Sequence, residues 1–271
     1  MRTALKIIAA LIVIAVAGFF IFAPGYVEST RNAVVPHDPY PVSDAARALH
    51  DDMIVGDWHA DSLLWNRDIT ERGDRGQVDV PRLIEGGVAI QIFTAVTKSP
   101  AGQNYEENSA DAFDNITPLA IGQLWPMRTW TSILERALYQ AEKLHKAAAK
   151  DPEHLTIIKS LADLEAHLAA RAAGSQAVGG ILGIEGAHPL EGDIANLDKI
   201  EAAGHRIIGL QHFFDNALGG SLHGEGNLGL TDFGRAVVAD IEGRGMVLDL
   251  AHSSPQVARD VLAMTDMPVI V

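Results

Sequence analysis

From Ser43 to the last residue, apolar runs alternate with amphipathic stretches. The runs at 53–58, 88–93, 181–184, 206–210, 246–250 and 268–271 are short, near-continuous and rich in Ile, Val and Leu, which predicts six strands. Between them the apolar positions take a helical period. Ser43 opens one predicted helix, a long one covers 129–150 before Asp151-Pro152, and Ser160 with Asp163 forms a capping box for another. Gly204 closes a fourth, Thr231 opens a fifth, and Ser254 followed by Pro255 starts a sixth. Strands that are apolar on both faces and separated by helices belong to a parallel sheet covered on both sides, an α/β fold.

The first 25 residues follow a different pattern. Residues 7–23 are apolar and uncharged, with Arg2 and Lys6 before them and Pro24-Gly25 after them. That run sits at the short end of a membrane span and exceeds the usual core of a signal peptide. Phe19, Phe20 and Phe22 crowd the place where a small-residue cleavage site would fall. Residues 1–25 are therefore expected to be an uncleaved anchor in the inner (plasma) membrane, positive end in the cytoplasm and the remainder periplasmic. Secretion after signal cleavage is the alternative. Residues 26–42 carry three prolines and are expected to be a linker, leaving 43–271 as the folded domain.

Charge narrows the partners. Lys plus Arg number 21 against 35 Asp plus Glu, a net charge of −14, which argues against nucleic-acid binding by the folded part. With no cysteine there is neither a disulfide framework nor a thiolate metal site. A bound metal must use His, Asp or Glu.

Four of the predicted strands end in such residues. His59 and Asp61 leave the first, Glu185 ends "ILGIE", His212 follows "RIIGLQ" and His252 follows "MVLDLA". A lone histidine there is an ordinary structural residue more often than a ligand. A carboxylate placed behind Ile-Leu-Gly-Ile needs a partner, because a bare buried charge costs several kcal/mol. In a parallel barrel the C-terminal strand ends converge on one mouth, where these residues would meet around a cation. Asp57 and Asp249 are candidates to orient ligand imidazoles, His188 is open, and His223 is a candidate for the pocket mouth. His37, His50, His145, His154 and His167 are expected at the surface.

The stretches "GDWHADSLLW", "GIEGAHPL", "GLQHFFDNALGGS", "GLTDFGRAVV" and "MVLDLAHSS", in this order, resemble the membrane dipeptidase family (renal-dipeptidase-like, peptidase family M19). The resemblance covers 43–271. It implies a (β/α)8 TIM-type barrel of the metal-dependent amidohydrolase kind with two zinc ions. On it, His59 and Asp61 hold the first zinc, Glu185 bridges both, and His252 ligates the second. His212 faces the substrate carbonyl or its oxyanion as catalytic residue, and Asn216 contacts substrate. The implied activity is hydrolysis of dipeptides through a metal-bridging hydroxide, by an enzyme that allows a homodimer. Alternatives are another metal-dependent amidohydrolase acting on an amide, lactone or phosphoester, or an inactive metal-binding remnant. Gln211 stands where the family commonly has threonine, and Asp232 where proline is frequent. The family's remaining ligand of the second zinc follows the strand at 268–271. The chain is therefore expected to be a C-terminally truncated, incomplete barrel that binds at most one zinc tightly and has little activity by itself.

Overall fold

The computed structural model describes residues 2–271. Seven parallel strands, counted among the described residues, form one sheet. They are β1 (Val55–Ala60), β2 (Val88–Val96), β3 (Leu155–Ile157), β4 (Val178–Glu185), β5 (His205–Gly209), β6 (Val247–Asp249) and β7 (Val269–Ile270). The order is β1-β2-β4-β5-β6-β7, and the sheet curls into a half-barrel of the TIM type. The expectation of six strands needs one addition. The three-residue β3 pairs with 178–180 of β4, just before the stretch 182–184 that pairs with β5, so both use the edge of β4 that β2 leaves free. Three residues are too few to show a period.

Successive residues on each strand face opposite sides, and the partition is clean. Trp58, Ile92, Ile181, Ile207, Val247 and Ile270, one from each strand of the main path, line an apolar cavity of about 310 Å³ on the concave side. Their neighbours Phe93, Leu182, Ile208 and Leu248 turn outward into two cores shared with the covering helices. Glu185, two pleats beyond Ile181, therefore stands on the concave side at the C-terminal end of β4.

The helices start where their caps predict. The hydroxyls of Ser43, Ser160, Thr231 and Ser254 accept from the backbone N–H groups of Ala46, Asp163, Gly234 and Val257. The long helix begins later than expected, at Ile133, because Ser132 caps it and Met127–Trp130 forms a 3-10 turn. At the N-terminus one helix runs through Arg2–Arg31, past Pro24, so the stretch without regular structure is 32–43 rather than 26–42. The hydroxyls of Ser29 and Thr30 donate back to the carbonyls of Tyr26 and Val27, continuing the turn beyond the proline.

One surface expectation is corrected. His167 is buried; its Nε2–H donates to the Ala89 carbonyl at 2.8 Å and its Nδ1 accepts from the Thr156 hydroxyl at 3.2 Å. It ties β2 to β3 from the helix Leu161–Ala172, whose helical period alone gave no hint of a polar tie. His205, at the start of β5, is also fully buried and donates from Nδ1 to the Gly183 carbonyl. Burial pushes its pKa down to about 4.

Candidate metal centre

The C-terminal strand ends bring the expected residues together. His59 lies at the end of β1 and Asp61 just beyond it, where the pairing with β2 shifts register between Asp57 and Ala60. Glu185 is the last residue of β4. The next residue, Gly186, has φ +77°, and a side chain there would fall within 3.0 Å of both the His188 ring and the His212 Cβ. Only glycine allows the sharp exit that lets both histidine loops approach. His212 and His252 each stand three residues past β5 and β6. His252 itself has φ +63°, an uncommon backbone for a non-glycine residue, and its Nδ1 is buried without a partner.

Glu185 is the hub. Its Oε1 lies 3.2 Å from His252 Nε2 and 3.5 Å from His59 Nε2, and its Oε2 lies 3.4 Å from His212 Nε2. His59 Nε2 is 3.2 Å from Asp61 Oδ1. Two donor groups follow, each with its donor atoms within 4.8 Å of one another: His59–Asp61–Glu185 and Glu185–His212–His252. Two donors on one tetrahedral cation, with bonds of about 2.1 Å, stand roughly 3.4 Å apart. The observed separations match that edge, and imidazole with carboxylate is a donor set that zinc accepts.

The electrostatics follow from burial and proximity. Burial acts to raise the pKa of Glu185, but the hydrogen bond with His252 and the charges of His212, His59 and His252 outweigh it and hold the carboxyl at about 2. Burial acts to lower the pKa of His59, yet the Asp61 hydrogen bond and the charges of Asp61, Glu185 and Asp249 raise it to about 9. Burial moves His212 the other way, downward. Its Nδ1–H donates to the Lys98 carbonyl at 3.2 Å, which turns Nε2 toward the cluster.

The neighbouring polar groups make bonds and contacts of their own within the fold. Asp57 accepts from the backbone N–H of His59, and Asp249 from that of Ala251, so both brace backbone rather than imidazole. Asn216 uses both ends of its amide inside the His212 loop, donating to the Leu210 carbonyl and accepting from the Leu218 N–H. His188 is buried and stacked on Phe214 with ring centroids 4.6 Å apart; burial pushes its pKa down to about 3. His223 donates to the Tyr105 carbonyl and lies 5.4 Å from the His252 ring, inside an aromatic group with Phe213.

Three contributors were missed in the sequence. The Thr94 hydroxyl, from β2, donates to Asp61 Oδ1 at 2.5 Å and orients that carboxylate. A hydroxyl near the C-terminal end of a mostly apolar strand was the available signal. Gln211 and Ser253 join the two histidine loops, the serine hydroxyl donating to Gln211 Oε1 at 2.7 Å. The departure at Gln211 thus has a structural use: it reaches a neighbour of His252.

Residues 43–271 match the family model of membrane dipeptidase, peptidase family M19. Dipeptidase aclJ of Aspergillus oryzae is 26% identical over 236 residues, covering 79% of this chain and 48% of that protein. The crystal structure of dipeptidase AC, a metallopeptidase of family M19, superposes with a TM-score of 0.56 at 25% identity, over 80% of this chain and 62% of its own. A metallopeptidase from Rhodobacter sphaeroides, solved with a phosphinate mimic of the dipeptide L-Ala-D-Ala, gives a TM-score of 0.57 at 23% identity, over 80% and 64%. The chain spans about half the length of the curated relative and under two thirds of either structure.

Proposed function

Because this chain belongs to the membrane dipeptidase family, we propose that its strand-end cluster is the metal centre of a zinc-dependent dipeptidase. The observation that carries this reading is the position of Glu185, a buried carboxylate whose two oxygens are shared between the two donor groups. His59, Asp61 and Glu185 would hold one cation, and Glu185 with His252 would contribute to a second. Cations bound there would supply activation of water near neutral pH and Lewis-acid polarisation of the scissile carbonyl.

The chain's own groups set the rest. Thr94 fixes the direction of Asp61, and the Lys98 carbonyl fixes the ring orientation of His212. His212, whose Nε2 lies beside Glu185, would act on the substrate carbonyl. To stabilise an oxyanion it must carry protons on both nitrogens, a state that Glu185 favours and burial opposes. Asn216 serves this residue by bracing its loop. The substrate is a dipeptide, and a D-residue at its C-terminal position is admitted. Arg2 and Lys6 precede the apolar run 7–23 within a helix long and apolar enough to cross a membrane, which supports an N-terminus in the cytoplasm and a domain outside it.

Zinc titration of the metal-stripped chain tests the site. Chelator-reversible binding that His59→Ala abolishes supports it, and no stoichiometric binding refutes it. Hydrolysis of L-Ala-L-Ala and L-Ala-D-Ala, before and after chelation and zinc add-back, tests the reaction. Hydrolysis indifferent to the chelator would reject metal dependence.

A further inference from the structure

The N-terminal helix begins to touch the folded domain before its apolar run ends. Half-buried positions recur at Phe20, Ala23, Pro24, Val27 and Glu28, a spacing of three and four residues that marks one helix face. Val27 packs on a buried cluster that includes Leu64, Trp65, Val96 and Trp125. The Gly25 carbonyl accepts from Arg75 at 3.1 Å, Glu28 lies 3.8 Å from Arg67, and the Asn32 carbonyl accepts from the Gly76 N–H. Farther up the helix, a Cβ on Gly122 would stand 3.5 Å from the Phe19 ring and 3.7 Å from Pro24.

Phe19 lies four residues inside the end of the apolar run, roughly 6 Å along the axis. With 7–23 across a bilayer, Gly122 is held at the boundary between acyl chains and headgroups. The segment that follows it is Gln123-Leu124-Trp125-Pro126-Met127. Trp125 turns into the core, whereas Leu124 is 66% and Met127 74% exposed. Two large apolar side chains face outward at the one height where the outside is lipid.

We propose that the loop 123–127 enters the headgroup layer, with Leu124 and Met127 against the acyl boundary. The domain then rests on the membrane through two contacts, the helix and this loop. This inference rests on the reading of 7–23 as a membrane span. The occupant is a lipid surface engaged by apolar contact, because a net charge of −14 gives no attraction to anionic headgroups. Leu64 and Trp65 follow Asp61 by three and four residues and belong to the cluster beneath the helix. The segment that follows Asp61 thus adjoins the docked helix just beyond its apolar run.

The chain has no cysteine, so single labels report cleanly. Leu124→Cys, Met127→Cys, Ile14→Cys and Leu262→Cys, each carrying a nitrobenzoxadiazole group, are reconstituted as full chains in phosphatidylcholine vesicles. Leu262 is exposed on the helix Pro255–Met264, beside β7 at the far end of the sheet from β1. Labels at 124 and 127 are expected to shift to the blue and to be quenched by lipids spin-labelled near the headgroup. The label at 14 is quenched only by deeply spin-labelled lipids, and the label at 262 by neither. Labels at 124 and 127 that stay unquenched while 14 is quenched overturn the loop contact and leave the span standing. A label at 14 that escapes deep quenching overturns both.

Discussion

Replacing Glu185 by glutamine tests the hub of the site with little change in shape. Both carboxylate oxygens face imidazole nitrogens, at 3.2 Å (His252), 3.4 Å (His212) and 3.5 Å (His59). Glutamine removes the negative charge and turns an NH2 toward one of those nitrogens, where no cation can take its place. Altering a residue that only supports a metal ligand costs 10- to 100-fold in affinity, so loss of this shared ligand should cost at least about 100-fold. At a free zinc concentration of about 100 times Kd, the wild-type chain gains roughly 2.7 kcal/mol, and a variant 100-fold weaker gains about 0.4 kcal/mol. For a domain of this size the difference of about 2.3 kcal/mol corresponds to roughly 5–9 °C in Tm. Without metal the two proteins should lie within about 1 kcal/mol, because His59 keeps Asp61 as the partner of its charge and no buried ion is stranded. Thermal unfolding of the full chain in detergent, metal-stripped and then at fixed zinc, reads both quantities. An equal zinc-induced shift in Glu185→Gln and wild type, with equal bound zinc by direct metal analysis, would refute the shared-ligand reasoning.

His212→Ala is expected to retain zinc while dipeptide hydrolysis falls by roughly 10²–10⁴; loss of a bound zinc instead would make His212 a ligand. Arg136 is buried with Asp114 at 2.6 Å, so Asp114→Asn leaves an uncompensated cation and should cost about 3 kcal/mol in urea unfolding. Burial acts to raise the Asp114 pKa, but Arg136 and the other hydrogen bonds lower it. Its contribution is therefore present above the unfolded carboxylate pKa, near 4, and is lost as pH falls toward the folded value. Urea midpoints between pH 6 and pH 3 should fall more steeply in wild type than in Asp114→Asn, and parallel curves would reject the pairing. Lys143 Nζ donates to the carbonyls of Leu63 and Trp65 at 2.5 Å each, so Lys143→Met should cost about 1–3 kcal/mol in the same assay. An unchanged midpoint would show those carbonyls to be solvated.

How much of this was legible in the sequence follows from which interactions are local. A strand buried on both faces leaves a near-continuous apolar run, so six strands and their parallel pairing could be read directly, whereas Leu155–Ile157 is too short to leave a pattern. Caps act over three residues, and Ser43, Ser160, Thr231 and Ser254 were accordingly visible. The metal cluster was legible for a topological reason: a parallel sheet brings all its C-terminal ends to one side, so residues 126 positions apart, such as His59 and Glu185, meet without any local signal connecting them. What the pattern could not supply was the direction of each polar side chain. Asn216, in the loop after β5, and Asp249, at the end of β6, spend hydrogen bonds on backbone, while Thr94, near the C-terminal end of β2, is the group that orients Asp61. His167 shows the same limit from the other side. A histidine on an amphipathic helix is indistinguishable from a surface residue until the carbonyl of Ala89, 78 positions earlier, is brought against it. Long-range partners of single polar atoms are set by packing, and packing is what a one-dimensional pattern of apolar and polar positions leaves out.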